Sequence, residues 1–312
     1  MSNTFITHKV FRNINLNGNN TKNPIHHFIR EKQIYGNIFI FIISRKFLIE
    51  KKIYFMPKVN FGEDQEFVAK ILCFCSKYIL YNKSFYCYSS GVGNLSNSMS
   101  LNTALSCLKV VNNLKNMDKL NSLSIIKKRY IKKIINKVLN QFIPRLIYYE
   151  NKNIFKLSKY IESKKKNFKS LKYSFSKIEI SSSLKKYGYN QGLIHYKNTI
   201  INRLLVKLNK KLKFFNDIYI FCYNYNGIAI SKILLDNGYN LRGFLDNNKL
   251  LYKNKILGLK VYSPNILKGN KMNNKLNTSI IICNQFKRNI NSISRQLIAS
   301  GIKKKKIVYK YT

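Results

Sequence analysis

The sequence predicts an α/β protein in three parts, and three observations support this fold class. In about the last hundred residues, β-type segments alternate with helical segments, as they do in a parallel, doubly wound sheet. Residues 101–215 place apolar side chains at helical spacing. Apolar residues fill 45% of the 312 positions, enough for a packed core and too many for a disordered chain. We expect domains at 1–100, 101–215 and 216–312.

The first part, residues 1–100, is predicted to mix short strands with one helix. Residues 38–43 are β-branched and aromatic, which favours a buried strand. The apolar run at 67–72 follows a group of acidic residues. Because acids stabilise the first turn of a helix, we expect a helix that starts at these acids and ends near Ser76. Two shorter strands and a turn are predicted at 78–81, 85–88 and 91–94.

The second part, residues 101–215, is predicted to be helical and strongly basic. Its two apolar series are Leu105, Leu108, Val111 and Leu114, then Ile126, Tyr130, Ile134, Val138 and Phe142. We expect Pro144 to stop the second helix. The region holds 27 Lys and Arg residues against four acids. Two interpretations stay open: a solvated helix face, or a basic surface that docks an anionic membrane or a phosphorylated substrate.

The third part, residues 216–312, is predicted to alternate strands and helices. Gly238 and Gly301 stand where C-capping glycines belong. The segment 279–283 is almost continuously apolar, as a central parallel strand should be. The predicted strands are 217–223, 241–246, 279–283 and 306–311, and the predicted helices are 227–236 and 286–299.

The net charge is extreme, yet amino-acid bias accounts for much of it. The chain has 57 Lys and Arg residues against 12 acids, a formal charge of +45. Lys, Ile, Asn, Tyr and Phe, which have A- and T-rich codons, make up more than half of the chain. Lys outnumbers Arg 48 to 9, whereas nucleic-acid readers favour Arg forks. Nucleic acid is therefore not an expected partner, although a basic surface for it stays a third alternative.

Other composition features bound the cellular context. Six scattered Cys residues are too few for a disulfide scaffold, and four His residues leave little material for a metal site, so no metal ligands are predicted. No apolar run reaches about 18 residues, the length of a membrane span. The first 20 residues lack the apolar core of a signal peptide. We expect a cytoplasmic protein that at most binds peripherally to the inner face of the membrane.

Three of the twelve acids cluster at Glu63, Asp64 and Glu66. A carboxylate close to a sugar hydroxyl can take its proton while the hydroxyl attacks an electrophilic carbon. The alternative is structural, because acids at the first turn of a helix interact favourably with its dipole. Asp64 and Glu63 are therefore candidate catalytic residues.

The order of segments around this cluster resembles a known family. YGN at 35–37, SRKFL at 44–48, IYF at 53–55 and FGEDQEF at 61–67 are similar to the acceptor-side half of family-2 glycosyltransferases. The resemblance covers about residues 34–98 and implies a partial GT-A-like domain. It also implies sugar transfer, of the hexosyltransferase type used in polysaccharide biosynthesis. The donor would be a nucleotide-sugar, the acceptor a saccharide or a lipid-linked molecule, and Asp64 the base beside Glu63.

The chain departs from that family on its N-terminal side. The family's donor half carries an Asp-x-Asp motif that holds Mg²⁺ or Mn²⁺, whereas residues 1–33 contain no Asp. We therefore expect this chain to be incomplete or inactive alone, with a separate chain supplying the donor-binding half. Whether it acts as an enzyme is left open.

Residues 216–311 carry a second resemblance, to the Rossmann-like module appended to many sugar and polysaccharide enzymes. Gly227 stands at the third glycine of a strand-to-helix turn, and Asp246 follows 19 residues later at the end of the next strand. The resemblance implies cofactor binding by Gly227 and Asp246, with the acid on a ribose hydroxyl. Cys222 and Asn224 replace the first two glycines, which makes NAD binding doubtful. Alternatively, Gly227 only permits close packing and Asp246 is a loop acid.

The resemblances leave a second function open beside sugar transfer. The alternative is a non-catalytic module that binds a nucleotide or a nucleotide-sugar, since the Rossmann-like part carries its own candidate site.

Overall fold

A computed structural model describes residues 25, 38, 41–75, 98–169, 174–175, 178–213, 215–267, 278–284 and 287–309. The protein is α/β, with mostly helical content and, within the described residues, a mixed six-stranded sheet. It divides into two compact units. The first unit comprises residues 1–95 and 102–142, and the second comprises residues 96–101 and 143–312. The predicted three-part division stays a prediction.

The first unit is helical in its described part. Its helices are α1 (Arg45–Glu50), α2 (Glu63–Phe74), most of α3 (Leu101–Asp118) and the first part of α4 (Ile125–Tyr148). The strand predicted at 38–43 is wrong for its described residues, because 41–44 are irregular and lead into α1. Phe47 of α1 packs against the cluster formed by Ile53, Phe67 and Ile71. A short apolar run does not specify a strand by itself, and here Ile43 of the irregular segment packs against the same cluster.

The GT-A-like architecture expected for residues 1–100 is not confirmed. The predicted strands at 78–81 and 85–88 and the turn at 91–94 lie outside the described residues. The helix predicted at the acidic cluster is confirmed as α2, which ends at Phe74.

Helices also dominate the first part of the second unit. They are α5 (Asn151–Ser163), α6 (Lys165–Lys169), α7 (Ile180–Tyr187) and α8 (Tyr189–Leu212), and a short hairpin joins β1 (Ser174–Phe175) to β2 (Ile178–Glu179). The helical prediction for 101–215 is thus confirmed for α3 to α8, and it is wrong for the β1–β2 hairpin. Pro144 as a helix stop is wrong, since α4 continues to Tyr148. Leu146 and Ile147 beyond the proline are buried, as is Ile143 just before it, and this packing outweighs the single backbone hydrogen bond that proline removes.

The sheet of the second unit follows the predicted alternation of strands and helices. Its elements are β3 (Asp217–Phe221), α9 (Tyr225–Asp236), β4 (Leu241–Leu245), β5 (Lys255–Ile256), β6 (Leu259–Tyr262), β7 (Thr278–Ile282), α10 (Lys287–Ala299) and β8 (Ile307–Tyr309). The spatial order is β5-β6-β4-β3-β7-β8. β6, β4, β3, β7 and β8 run parallel, and β5 pairs antiparallel with β6.

Two glycines end the helices of this sheet as the sequence predicts. Gly238 has φ 76° and its N–H donates to the Leu235 carbonyl, while the Tyr239 N–H donates to the Leu234 carbonyl. Gly301, with φ 88°, ends α10 by the same pair of hydrogen bonds. These are Schellman motifs, which require a left-handed residue that glycine adopts without strain.

The strand order of the sheet indicates where a ligand would bind. Counted from β3, the parallel strands lie in the order 3-2-1-4-5, so the chain direction across the sheet reverses between β3 and β7. In doubly wound sheets, ligands bind at the carboxyl ends of the two strands that flank this point.

Among the described residues, no helix combines the length and apolar character needed to span a bilayer.

Candidate functional site

The turn that leaves β3 lies at the point where strand order reverses. Cys222 follows β3 directly and adopts φ 86°, a left-handed conformation that costs energy for any residue other than glycine. Its N–H donates to the Leu245 carbonyl, which carries the ladder between β3 and β4 one residue further. This strained residue redirects the chain into α9, as the first glycine of a G-x-G-x-x-G turn would.

Asp246 connects this turn to the end of β4. Its Oδ2 accepts a hydrogen bond from the Tyr223 N–H at 2.9 Å, and its Oδ1 accepts one from the Asn248 N–H at 2.9 Å. Burial raises the pKa of the Asp246 carboxyl, and these backbone N–H groups act in the opposite direction. Asp246 is only partly buried. Each carboxylate oxygen accepts more than one hydrogen bond, so Asp246 can also accept from a ligand hydroxyl.

Asn224 closes the N-terminus of α9. Its Oδ1 accepts from the Gly227 N–H at 2.9 Å, the usual N-cap contact. Its Nδ2 donates to the Cys283 carbonyl at 2.9 Å, just past β7. The side chain therefore bridges the carboxyl ends of β3 and β7. An Asn directly before a helix is a signal that sequence reasoning can recognise as a cap.

Gly227 contributes close packing. A Cβ at this position would lie within 3.0 Å of the Cys222 carbonyl oxygen and would also meet Ile220. The third glycine of the turn thus lets α9 approach β3. Its N–H lies at the helix N-terminus, where it donates to Asn224.

Cys222 is a buried thiol rather than a reactive one. Burial raises its pKa to about 12, although a hydrogen bond from Asn284 works against this rise. At neutral pH the sulfur therefore stays protonated and is a poor nucleophile.

Arg145 is a buried residue beside this turn that the sequence analysis missed. Its side chain is fully buried, and its guanidinium carbon lies 5.1 Å from the ring centre of Tyr225, the first residue of α9. Its Nε donates to the Ser98 carbonyl at 2.9 Å. The sequence contained one signal for this residue, because Arg is rare in a chain whose basic residues are mostly Lys.

The acidic cluster lies in the other unit, at the first turn of α2. Burial, and then the neighbouring Glu63, raise the pKa of Asp64 to about 6, while Lys137 acts in the opposite direction. Glu66 is fully buried and pairs with Lys70 at 2.6 Å and with Asn113. No described residue forms a hydrogen bond with the buried Glu63 Oε2.

The structure thus places Asp64 beside Glu63 in one unit. In the other unit, Gly227 lies at the start of α9, after the turn whose Tyr223 N–H donates to Asp246. Their catalytic and cofactor-binding roles stay predictions. In the part of the chain that the structure describes, His, Cys, Asp and Glu nowhere form a group of three able to hold a metal ion.

Comparisons with known proteins give few matches. No protein-family model and no curated protein matches the sequence. A solved structure of RSP with β-NADH is 20% identical, covering 51% of this chain and 85% of that chain at a TM-score of 0.27. RSP, a Rex-family repressor, is 22% identical over 49% of this chain and 75% of its own, with TM-score 0.26. RSP with β-NAD⁺ and operator DNA is 17% identical over 52% and 83%, with TM-score 0.26.

These matches correct the family interpretation made from sequence. The three structures above are of RSP, a repressor, and no protein-family model matches the sequence. The assignment to family-2 glycosyltransferases is therefore wrong, together with sugar transfer, the nucleotide-sugar and the saccharide acceptor. The expectation that nucleic acid is not a partner is also corrected, because one of the matched structures holds operator DNA. A motif of a few residues around Gly62-Glu63-Asp64 equally describes a helix start, and this is how the same residues fold here.

Proposed function

We propose that the sheet of the second unit is a non-catalytic nucleotide-binding module. One observation carries the proposal: the Asp246 carboxylate, at the end of β4, is hydrogen-bonded to the turn between β3 and α9. This places a carboxylate acceptor at the carboxyl edge of a doubly wound sheet, beside the point where strand order reverses. Ligands of such sheets bind at this edge.

The chemistry of Asp246 favours a ribose as the group it holds. Two adjacent ribose hydroxyls are donors, and a carboxylate offers two oxygens to receive them. The backbone N–H groups of Tyr223 and Asn248 fix the orientation of both oxygens before a ligand arrives. A fixed acceptor loses little freedom on binding, which favours affinity.

Binding rather than reaction suits the other groups of this turn. The Cys222 thiol is protonated at neutral pH, since its pKa is raised to about 12. The Asn224 side chain is tied at both ends, to Gly227 and to Cys283.

Calorimetry on the full chain tests the proposal with a matched pair of ligands. Adenosine should bind with a Kd on the order of 0.1–1 mM, and 2′,3′-dideoxyadenosine should bind at least ten-fold more weakly. Guanosine, cytidine and uridine test whether the base matters. Asp246→Asn should weaken adenosine binding, while Asp217→Asn, at the opposite end of the sheet, should not. Equal binding of the two adenosines would refute a ribose site.

A second candidate function rests on the exposed face of α5. Lys152, Lys156 and Lys159 are exposed at helical spacing, and the Lys159 Nζ lies 4.6 Å from the ring centre of Phe155, which is 47% exposed. Exposed Tyr187 at the end of α7 lies tilted against His195 of α8, with ring centres 4.3 Å apart. Cationic groups beside exposed rings suit a single-stranded nucleic acid, because the lysines neutralise phosphates and the rings stack on bases.

Fluorescence anisotropy with labelled 20-mers of single-stranded DNA and RNA tests this surface. Affinity should fall with rising salt, and replacing Lys152, Lys156 and Lys159 with Gln should reduce the slope of log K against log[salt] by about 2. Replacing Lys253, Lys255 and Lys260, which are also exposed, with Gln is the control for total charge. Equal effects of the two triple variants, or binding to phosphatidylserine vesicles and to neither oligonucleotide, would contradict the assignment.

A further inference from the structure

The backbone of the β3–α9 turn already uses its N–H groups inside the protein. The Tyr223 N–H donates to Asp246 Oδ2, the Asn224 N–H donates to the Cys222 carbonyl, and the Gly227 N–H donates to Asn224 Oδ1. In a turn that binds a phosphate, N–H groups at these positions point at the anion. Here the side chains of Asn224 and Asp246 supply two of the acceptors that a phosphate would supply.

The Asn224 side chain is held at both of its polar atoms. Besides the cap to Gly227, its Nδ2 donates to the Cys283 carbonyl across the sheet. A phosphate that entered this turn would have to displace both hydrogen bonds at once. It would also approach the carboxylate of Asp246, which accepts from the same turn. The negatively charged carboxylate repels a phosphate, so a phosphate gains little binding free energy by entering this turn.

Arg145 shows what the turn would favour if the cap were absent. Its buried guanidinium lies against the ring of Tyr225, so a fixed positive charge lies beside the N-terminus of α9. A helix N-terminus and a cation both attract an anion. The hydrogen bonds of the Asn224 side chain therefore prevent a phosphate from binding at this turn. Without that side chain, the turn should bind a phosphate.

We propose that Asn224 makes the nucleotide site phosphate-independent, so that its ligand class is the nucleoside and the phosphates of a nucleotide add no affinity. The inference rests on the proposed nucleotide-binding function and adds a specificity-determining residue to it. Adenosine, AMP, ADP and NAD should then bind the chain through the same ribose contact to Asp246.

Titration calorimetry on the full chain, in EDTA to exclude metal–phosphate complexes, tests this inference. The dissociation constants of adenosine, AMP, ADP and NAD should agree within about three-fold in the unmodified protein, with NAD no tighter than roughly 100 μM. In Asn224→Gly, ADP and NAD should bind at least ten-fold more tightly than adenosine. Glycine is a tolerated N-cap, so this variant should fold.

Asn237→Gly is the matched control, since Asn237 caps the other end of α9. It should leave all four affinities as in the unmodified protein. A ten-fold preference of the unmodified chain for ADP over adenosine would overturn the inference and leave the proposed function standing. So would an Asn224→Gly variant that still binds adenosine and ADP equally. If adenosine does not bind the unmodified chain at all, the proposed function fails and this inference fails with it.

Discussion

At the scale of single residues, Asp64 is a partly buried acid whose pKa lies well above its ordinary value. Its Oδ1 accepts from the Gln65 N–H at 2.8 Å, yet burial and the charge of Glu63 raise its pKa to about 6. In the unfolded chain the pKa of this carboxyl returns to its ordinary value of 3.8. The folded state therefore binds the proton more tightly than the unfolded state. The resulting stability is fully present below about pH 4 and is lost as pH rises through about 6.

Asp64→Asn should stabilise the protein at pH 7, because the amide keeps the acceptor for Gln65 and removes the buried charge. We expect a gain of about 1–3 kcal/mol at pH 7 that vanishes near pH 4. Urea unfolding from pH 4 to pH 8 measures it. Part of the gain is offset because Lys137, whose pKa is lowered by burial, loses the favourable charge of Asp64.

Glu162→Gln is the control for this prediction, since Glu162 is exposed on α5. Its effect on unfolding should be small at every pH. A destabilising Asp64→Asn at pH 7 would show that the carboxylate has a favourable partner, and the interpretation of Asp64 as a costly buried charge would be abandoned.

At the scale of elements, the β3–α9 unit depends on a close approach at one glycine. In Gly227→Ala the new Cβ would lie within 3.0 Å of the Cys222 carbonyl oxygen. Backbone cannot yield as a flexible side chain does, so we expect destabilisation of about 2–3 kcal/mol. This exceeds the gain of about 1 kcal/mol that Ala normally brings to a helix interior. Thermal and urea unfolding measure the change.

Gly238→Ala supplies the contrast for that prediction. A Cβ at Gly238 meets nothing within 4 Å, but the residue has φ 76°. The expected cost is about 1 kcal/mol and comes from the left-handed conformation alone. Equal costs at the two positions would mean that helix-to-strand packing at Gly227 is looser than described.

Helix α4 shows where local signals mislead at this scale. The sequence contains a proline, which normally ends a helix, yet α4 runs through Pro144 to Tyr148. Arg145, in the extra turn, contacts Ser98 and Tyr225, residues distant in sequence. Tyr149, just beyond the helix, donates from its hydroxyl to the Met99 carbonyl at 2.8 Å. These long-range contacts stabilise the last turn and are invisible in a window of neighbouring residues.

At the scale of the whole molecule, the chain has a formal net charge of +45, and about half of it lies in residues 101–215. Such a charge governs solubility and non-specific association with polyanions, but it does not specify a fold. The two units differ in where their carboxylates lie. One buries an acidic cluster at the start of α2, and the other presents a carboxylate at the edge of a sheet.

Local sequence patterns predicted part of the second unit, and β5, β6 and the β1–β2 hairpin were not predicted. The strands β3, β4, β7 and β8 and the helices α9 and α10 were predicted within a few residues of their observed bounds, and both glycine caps were predicted at the right positions. This is because periodicity and capping depend on residues within a few positions of one another. For the same reason the sequence could mistake 38–43 for a strand, and could match a short acidic motif to the wrong family.

The assembly of the candidate site depends on contacts between residues far apart in the chain. Tyr223 and Asp246 are 23 residues apart, and Asn224 and Cys283 are 59 apart. They meet because β3 pairs with both β4 and β7 in a parallel register, which brings three carboxyl ends to one edge. Strand order is set by the packing of whole elements, so the closing of the turn by Asn224 follows from the fold rather than from the residues around it.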